Sequence, residues 1–426
     1  MKILIVGAGG REHALAWKLA SEPGVREVVC APGNAGIAQV ARVVDISAGD
    51  PEALAAFAAR EHIDLTVVGP ELPLDRGITD LFMSRGLLIF GPSRAAAQLE
   101  CSKVFAKGFM ARHGIPTARY RACEDAAAAH AVVASGALGF PLVVKADGLA
   151  AGKGVVVAPD AAAAHRAVRG AMEEHQFGAA GARVVLEECL VGPEVSFFAI
   201  CDGRRAAALL SAQDHKRVFD GDEGPNTGGM GAFAPSPLVG DSLEAQIMRQ
   251  IIEPVVAGLR QDGHAYRGFL YAGLMLTADG PKVIEFNVRF GDPEAQVVIP
   301  MIAGALAPRL AAAAGGALDP SPIAFRAEPH VGVVLASRGY PAAVTPGAPI
   351  AGLAEAARLP DVLVFHAGTE QVGADVVTAG GRVLTVVGRG ATYPEATARA
   401  YAGVSAITFD GMHYRHDIGR KAFPTG

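Results

Sequence analysis

Short apolar runs alternate with amphipathic stretches over the first hundred positions. The runs at 3–6, 25–30, 65–68 and 87–90 read as strands, and 11–20 and 51–60 as helices with apolar residues at helical spacing. Strands alternating with helices predict a parallel sheet covered on both faces. A helix over 95–113 follows, ended by Gly114 and Ile115-Pro116. The texture then changes. Strands at 142–145, 155–157 and 184–187 with a helix at 161–172 predict a compact α+β unit. Two strands follow within 195–210 around a turn at Asp202-Gly203, then a long irregular loop at 211–237 and a helix at 243–259. Strands at 271–276 and 282–287 lead to a strand-rich end (331–336, 362–366, 383–387) closed by a helix at 393–404. The pattern is α/β and α+β multidomain, and 426 residues at about 150 per domain suit about three domains.

Composition narrows this. Hydrophobic residues are 51% of the chain but aromatics only 6%, and mean hydropathy is +0.29, so Ala and Val fill the core. The most apolar run, 297–308, is interrupted by Pro300 and falls short of the roughly 20 residues a membrane span needs. The apolar start ends at Arg11-Glu12-His13, which suits a first strand better than a signal peptide. A net charge of −5 without a basic block argues against nucleic acid as the main partner. Five cysteines with no CxxC pair point to reduced thiols in a cytoplasmic protein.

Candidate chemistry lies in the loops. Gly7-Ala8-Gly9-Gly10-Arg11-Glu12 joins a strand to a helix as dinucleotide fingerprints do, but Glu12 occupies the third glycine's place, and the second strand ends in Ala31-Pro32-Gly33-Asn34 without an acidic ribose ligand. Amides at that helix start are expected to favour a phosphate or another anion; a tight turn alone is the alternative. Lys145 ends a strand and is followed by Asp147-Gly148-Leu149-Ala150-Ala151-Gly152-Lys153-Gly154, which reads as a phosphate-facing hairpin or as a plain turn. In 283–294, strand alternation puts Glu285, Asn287 and Arg289 on one side and Ile284, Phe286 and Val288 toward a core. Two hard oxygen ligands beside a guanidinium suit Mg²⁺ held with a nucleotide; a solvated face with one ion pair is the alternative. Gln213-Asp214-His215-Lys216-Arg217 and Gly224-Pro225-Asn226-Thr227-Gly228-Gly229-Met230-Gly231 form a loop long enough to close over phosphate, or to be merely mobile. His413, His416 and Asp417 lack a third metal ligand of the expected kind, so a surface position is expected for them.

Together these segments, with Gly9-Gly10-Arg11-Glu12-His13-Ala14, Val68-Gly69-Pro70-Glu71, Arg289-Phe290-Gly291-Asp292-Pro293-Glu294 and Tyr414-Arg415-His416-Asp417-Ile418-Gly419, resemble the glycinamide ribonucleotide synthetase family of ATP-grasp enzymes. The resemblance implies a Rossmann-like N-terminal domain (1–102), an ATP-grasp body (103–325) with a mobile lid near 118–190, and a small C-terminal domain (326–426). It implies ligation of glycine to 5-phosphoribosylamine with ATP, in a cytoplasmic monomer without nucleic-acid or membrane partners. Glu285 and Asn287 would hold Mg²⁺ or Mn²⁺. Lys103, Lys145, Gly152, Lys153 and Gly154 would meet ATP phosphates, the hinge with Glu187 and Leu190 the adenine, and Glu194 the ribose. Arg289, Asp214 and Lys216 would serve the chemistry, and Gly9, Gly10, Gly33, Asn34, Gly36, Glu71 and Asp292 the substrates. Another ATP-grasp ligase, a non-catalytic nucleotide-binding module and a dinucleotide oxidoreductase are the competing readings.

Overall fold

The computed structural model describes residues 1–148 and 154–423. The N-terminal strands form the expected parallel sheet, in the order Arg42–Val43, Glu27–Pro32, Lys2–Gly7, Leu65–Val68 and Ile89–Phe90. Every residue of the central strand is buried, as a sheet covered on both faces requires. Tyr120–Cys123, Val184–Glu188, Leu142–Ala146 and Val155–Ala158 make an antiparallel sheet with its own core, from Cys123 to Leu186. A third sheet joins Ala206–Ala208, Glu194–Asp202, Arg267–Thr277 and Gly280–Asn287. Its consecutive Phe197 and Phe198 point to opposite faces and are both buried, each in a different cluster shared with the N-terminal sheet.

Two expectations fail here. The helix expected at 95–113 is two, Arg94–Cys101 and Lys103–Arg112. Between them Ser102 is extended and caps the second helix through Phe105 N–H, and its hydroxyl donates to Asp147 at 2.9 Å. The loop expected at 211–237 contains four short strands. Arg217–Phe219 pairs with Glu223–Asn226, while Gln213–Asp214 and Gly231–Ala234 join the sheet of His330–Ala336, Arg382–Arg389 and Val362–His366. Strands of two to four residues without alternation carry no periodic signal, so their sequence reads as a loop.

The first βα turn explains its own sequence. Glu12 folds back so that Oε2 accepts Gly9 N–H at 2.5 Å, while Oε1 takes Arg11 Nε at 2.6 Å. Arg11 N–H lies 3.5 Å from Asp292 Oδ2. The amides at this helix start thus face the protein's own carboxylates, and the turn is filled where a dinucleotide pyrophosphate would lie. Gly7 and Gly69 admit that carboxylate, because a Cβ on either would overlap Glu12. Gly69→Ala should therefore lower stability by about 1–3 kcal/mol through overpacking, read as a lower urea midpoint; an unchanged midpoint would show that Glu12 can move aside.

Candidate active site

The strand Gly280–Asn287 pairs with Arg267–Thr277 in a register that slips at Ile284: Gly273 faces Glu285 and Leu274 faces Val283. Ile284 is the extra residue of a bulge. Val283, Phe286 and Val288 are buried, whereas Ile284 is only half-buried. The expectation that Ile284 faces the core is thus corrected, since the bulge shifts the alternation by one. It also frees the Ile284 carbonyl, which accepts Lys145 Nζ at 3.0 Å.

Cations gather around Glu285. Burial raises its carboxyl pKa, but Lys216, Lys145, Lys103 and Arg289 outweigh burial and hold it below the usual value. Lys216 Nζ lies 2.8 Å from Glu194 Oε2 and 4.0 Å from Glu285 Oε1. Lys103 Nζ donates to the Gly148 carbonyl at 3.1 Å. Lys145 lies 3.1 Å from Glu187 Oε1, and Lys107, at 2.8 Å from Oε2, holds the carboxylate's other oxygen. Burial lowers Lys107 to about 8 against the pull of Glu187. The Glu187 side chain is therefore an anchor for two lysines. Leu190 lies in the connection from this strand to Glu194–Asp202. Gly154 accepts Ala146 N–H at 2.8 Å, while Gly152 and Lys153 lie outside the described residues.

Arg289 follows the strand's end and turns toward carboxylates, with Nε 3.2 Å from Glu71 and Nη2 3.0 Å from Glu100. Glu100 also accepts Val288 N–H at 2.7 Å. The hydrogen-bond network turns the amide nitrogen of Asn287, two residues beyond Glu285 on the same strand, to Glu100 Oε1 (3.0 Å) and the Phe286 carbonyl (3.2 Å). One buried carboxylate thus orients Arg289 and Asn287 together. Burial lifts Glu100 to about 7, with Arg289 opposing the shift and Glu71 adding to it.

The strand Gln213–Asp214 brings Asp214 to the same place. Burial pushes its carboxyl up to about 7; Lys216 opposes this, and Glu294, Glu194 and Glu285 reinforce it. Burial also raises Glu294, whose Oε1 accepts the Ser196 hydroxyl at 2.9 Å, with Tyr271 OH 3.1 Å from Ser196 Oγ. Burial depresses Lys216, but these carboxylates, Asp214 first, carry it well above the ordinary lysine value.

A cleft of about 440 Å³ opens between the N-terminal loops and the C-terminal sheet, lined by Gly9, Gly33, Asn34, Asp292, Thr369 and Arg382 among others. Arg382 lies 3.3 Å from Asp292 Oδ1. Asn34 bridges the two sides: its Nδ2 donates to Ala8 O and His366 O, and its Oδ1 accepts from Gly36 and Ile37 N–H. Gly10 and Gly36 pack instead against Gln296 and against the His13 and His366 rings.

Sequence reasoning overlooked Glu100, Lys107, Glu294 and Arg382 as site members. Glu100 and Lys107 stand among buried residues on their helices, and a charge on an apolar stripe is the signal that could have found them. Arg382 opens an apolar strand and gives no such signal.

Family models described as the phosphoribosylglycinamide synthetase N domain, ATP-grasp (A) domain and C domain match residues 1–100, 101–295 and 330–421. The chain belongs to this family. Among phosphoribosylglycinamide synthetase relatives, the phosphoribosylamine–glycine ligase of Ralstonia nicotianae is 52% identical over 423 residues, 99% of each chain. That of Brucella melitensis is 51% identical over 99% of this chain and 98% of its own. The crystal structure of the Thermotoga maritima phosphoribosylamine–glycine ligase superposes with a TM-score of 0.85 at 34% identity, over 98% of this chain and all of that one. A biotin carboxylase from Campylobacter jejuni shares the fold alone, with a TM-score of 0.75 at 17% identity over 97% of this chain and 92% of its own.

Within the phosphoribosylglycinamide synthetase fold, Glu100→Gln keeps the shape of the side chain but weakens its hold on Arg289. It should lower kcat by about tenfold or more, equivalent to about 1.4 kcal/mol, while the circular dichroism melt stays cooperative; unchanged kcat would remove Glu100 from the site.

Proposed function

We propose that the chain joins glycine to 5-phosphoribosylamine with cleavage of ATP, giving glycinamide ribonucleotide, ADP and phosphate, through glycyl phosphate. The observation that carries this reading is the convergence of Lys103, Lys145, Lys216 and Arg289 on Glu285, on the strand that also carries Asn287, with Asp214 and Glu294 alongside. In this reading 103–325 holds ATP and glycine, with 118–190 as lid, and 1–102 meets 326–426 at the phosphoribosylamine cleft.

Glu285 is kept ionised by its neighbours and Asn287 presents an amide oxygen, a donor pair that suits Mg²⁺ or Mn²⁺ completed by phosphate oxygens. Bound there, the cation neutralises charge on the phosphates. Lys103 and Lys145 approach the ATP phosphates, and Gly152, Lys153 and Gly154 would meet them too. Adenine meets the hinge backbone between Glu187 and Leu190, and Glu194 takes the ribose hydroxyls. A glycine carboxylate oxygen attacks the γ-phosphorus and ADP leaves. Arg289, fixed by Glu71 and Glu100, and Lys216 stabilise the transferring phosphoryl group. Asp214 and Glu294 hold the glycine ammonium. The amine of phosphoribosylamine then attacks the acyl carbon, phosphate departs and the nitrogen loses a proton. Gly9, Gly33, Asn34 and Asp292 line the cleft that would bring the amine to the acyl carbon. Gly10 and Gly36, packed against Gln296 and the His13 and His366 rings, and Glu71, which holds Arg289, serve the substrates indirectly. All these residues belong to one chain, so the reading needs only a monomer.

Incubation with ATP, Mg²⁺, glycine and phosphoribosylamine formed from ribose 5-phosphate and ammonia should release ADP only when both acceptor and glycine are present. ADP release that ignores glycine would overturn the reading. Glu285→Ala should abolish turnover without unfolding the chain; near-normal activity would refute its metal role.

The Asp214 carboxyl, lifted by burial to about 7, must be ionised to take an ammonium. As pH falls below 7 a proton competes with glycine. KM for glycine should rise by up to about tenfold from pH 7 to 6, the limit for one competing proton, while KM for ATP stays flat. A constant glycine KM over that range would exclude the contact.

A further inference from the structure

The segment 413–421 contributes no side chain to the proposed chemistry, yet it carries the largest fully buried side chain of the described residues, Arg415. Its guanidinium is bonded on every side. Nε and Nη2 donate to the two Asp417 oxygens at 2.8 and 2.7 Å, and Nη1 donates to Asp222 Oδ1 at 2.9 Å and to the Arg217 carbonyl at 3.0 Å. Asp222 and Arg217 belong to the hairpin formed by Arg217–Phe219 and Glu223–Asn226.

Further bonds run the same way. Gly221 N–H donates to Asp417 Oδ2 at 2.9 Å, His416 N–H to Asp220 Oδ1 at 2.7 Å, and Lys421 lies 2.7 Å from Asp222. His413 Nε2 meets the Val218 carbonyl at 2.9 Å. The residues that resembled a poor metal site are spent on gripping this hairpin. Asp222 adopts φ of 57°, a left-handed conformation costly for most side chains, and it does so where its carboxylate reaches both Arg415 and Lys421.

The grip has a firm base and a short reach. His413 exchanges backbone bonds with Ala336, and Tyr401 on the helix Tyr393–Ala406 bonds Arg415 O at 2.7 Å and Ile418 N–H at 3.0 Å. At the other end, Arg217 directly follows Lys216, whose carbonyl accepts both Thr227 N–H (2.8 Å) and Thr227 Oγ1–H (2.9 Å). The Lys216 ammonium lies 2.8 Å from Glu194.

We infer that 413–421 is a clamp: Arg415, with Asp417 and Asp222, fixes the hairpin and so positions Asp214 against glycine and Lys216 against the transferring phosphoryl group. Arg415 is a positioning residue, acting through the backbone beside Lys216. This rests on the reading that Asp214 holds the glycine ammonium and Lys216 the phosphoryl group.

Asp222→Asn keeps the side-chain shape, and asparagine tolerates the left-handed backbone, so the fold is retained while one charge of the clamp is lost. Arg415→Lys keeps the charge and loses the fork. In both, KM for glycine should rise by about fivefold or more while KM for ATP and for phosphoribosylamine stays within about twofold. Tryptic cleavage after Lys216 or Arg217 should quicken, a readout that needs no turnover. A part that only stabilised the fold would lower the melting temperature and the active fraction without moving a single KM. Faster cleavage with an unchanged glycine KM would overturn the proposal, as would unchanged cleavage. If the wild-type chain releases no glycine-dependent ADP, the ligase reading fails instead, and the cleavage comparison still decides whether the hairpin is clamped.

Discussion

The structure depends on keeping cations close together in a place poorly served by water. Lys103, Lys145, Lys216 and Arg289 all act on Glu285, and burial works against the charge of Lys103, Lys216 and Arg289. Glu187 holds Lys145, Glu194 holds Lys216, and Glu71 with Glu100 holds Arg289. Removing one partner of a buried pair leaves an uncompensated charge, which costs far more than the pair contributes. On the proposed reading the carboxylates are therefore part of the binding machinery, keeping the cations in place until phosphate oxygens arrive to share them.

The same constraint explains why the chain crosses between its parts so often. The strands Gln213–Asp214 and Gly231–Ala234 belong to the ATP-grasp span of the sequence but lie in one sheet with Val362–His366 and Arg382–Arg389. Asp214 is thus built on a C-terminal framework while facing the Glu285 strand. Across the cleft, Asn34 ties the second N-terminal turn to the His366 carbonyl, and His13 Nδ1 accepts His366 N–H at 2.8 Å. A cleft between two units keeps its width when several such bonds join its walls.

Much of this was legible in the sequence. Alternating runs gave the parallel sheet, and the polar row at Glu285 and Asn287 marked the cation-rich strand end. What stayed hidden has physical reasons. A bulge is invisible to a period-two pattern, which therefore turns Ile284 toward a core that it does not enter. The break at Ser102 depends on Asp147, 45 positions away, which helix propensity cannot register. The hairpin at 217–226 owes its shape to Arg415, nearly 200 positions distant. Glu100 and Lys107 pass for ordinary helix charges unless their place on the apolar stripe of each helix is weighed.

The glycines show most clearly where local reading reaches its limit. An excess of glycine at helix starts and turns suggests cradles for a substrate's phosphate. In the folded chain, Gly7, Gly9 and Gly69 surround the Glu12 carboxylate, and Gly291 makes room for that of Glu294. The anion these backbones approach is the protein's own. A carboxylate buried against bare backbone is held without side-chain freedom, and it in turn fixes a cation or a turn: Glu12 fixes Arg11, and Arg11 Nη1 reaches the Phe290 carbonyl at 3.0 Å beside Arg289. Glycine here serves substrate recognition at one remove, by letting carboxylates into positions from which they aim the groups that would meet the substrate.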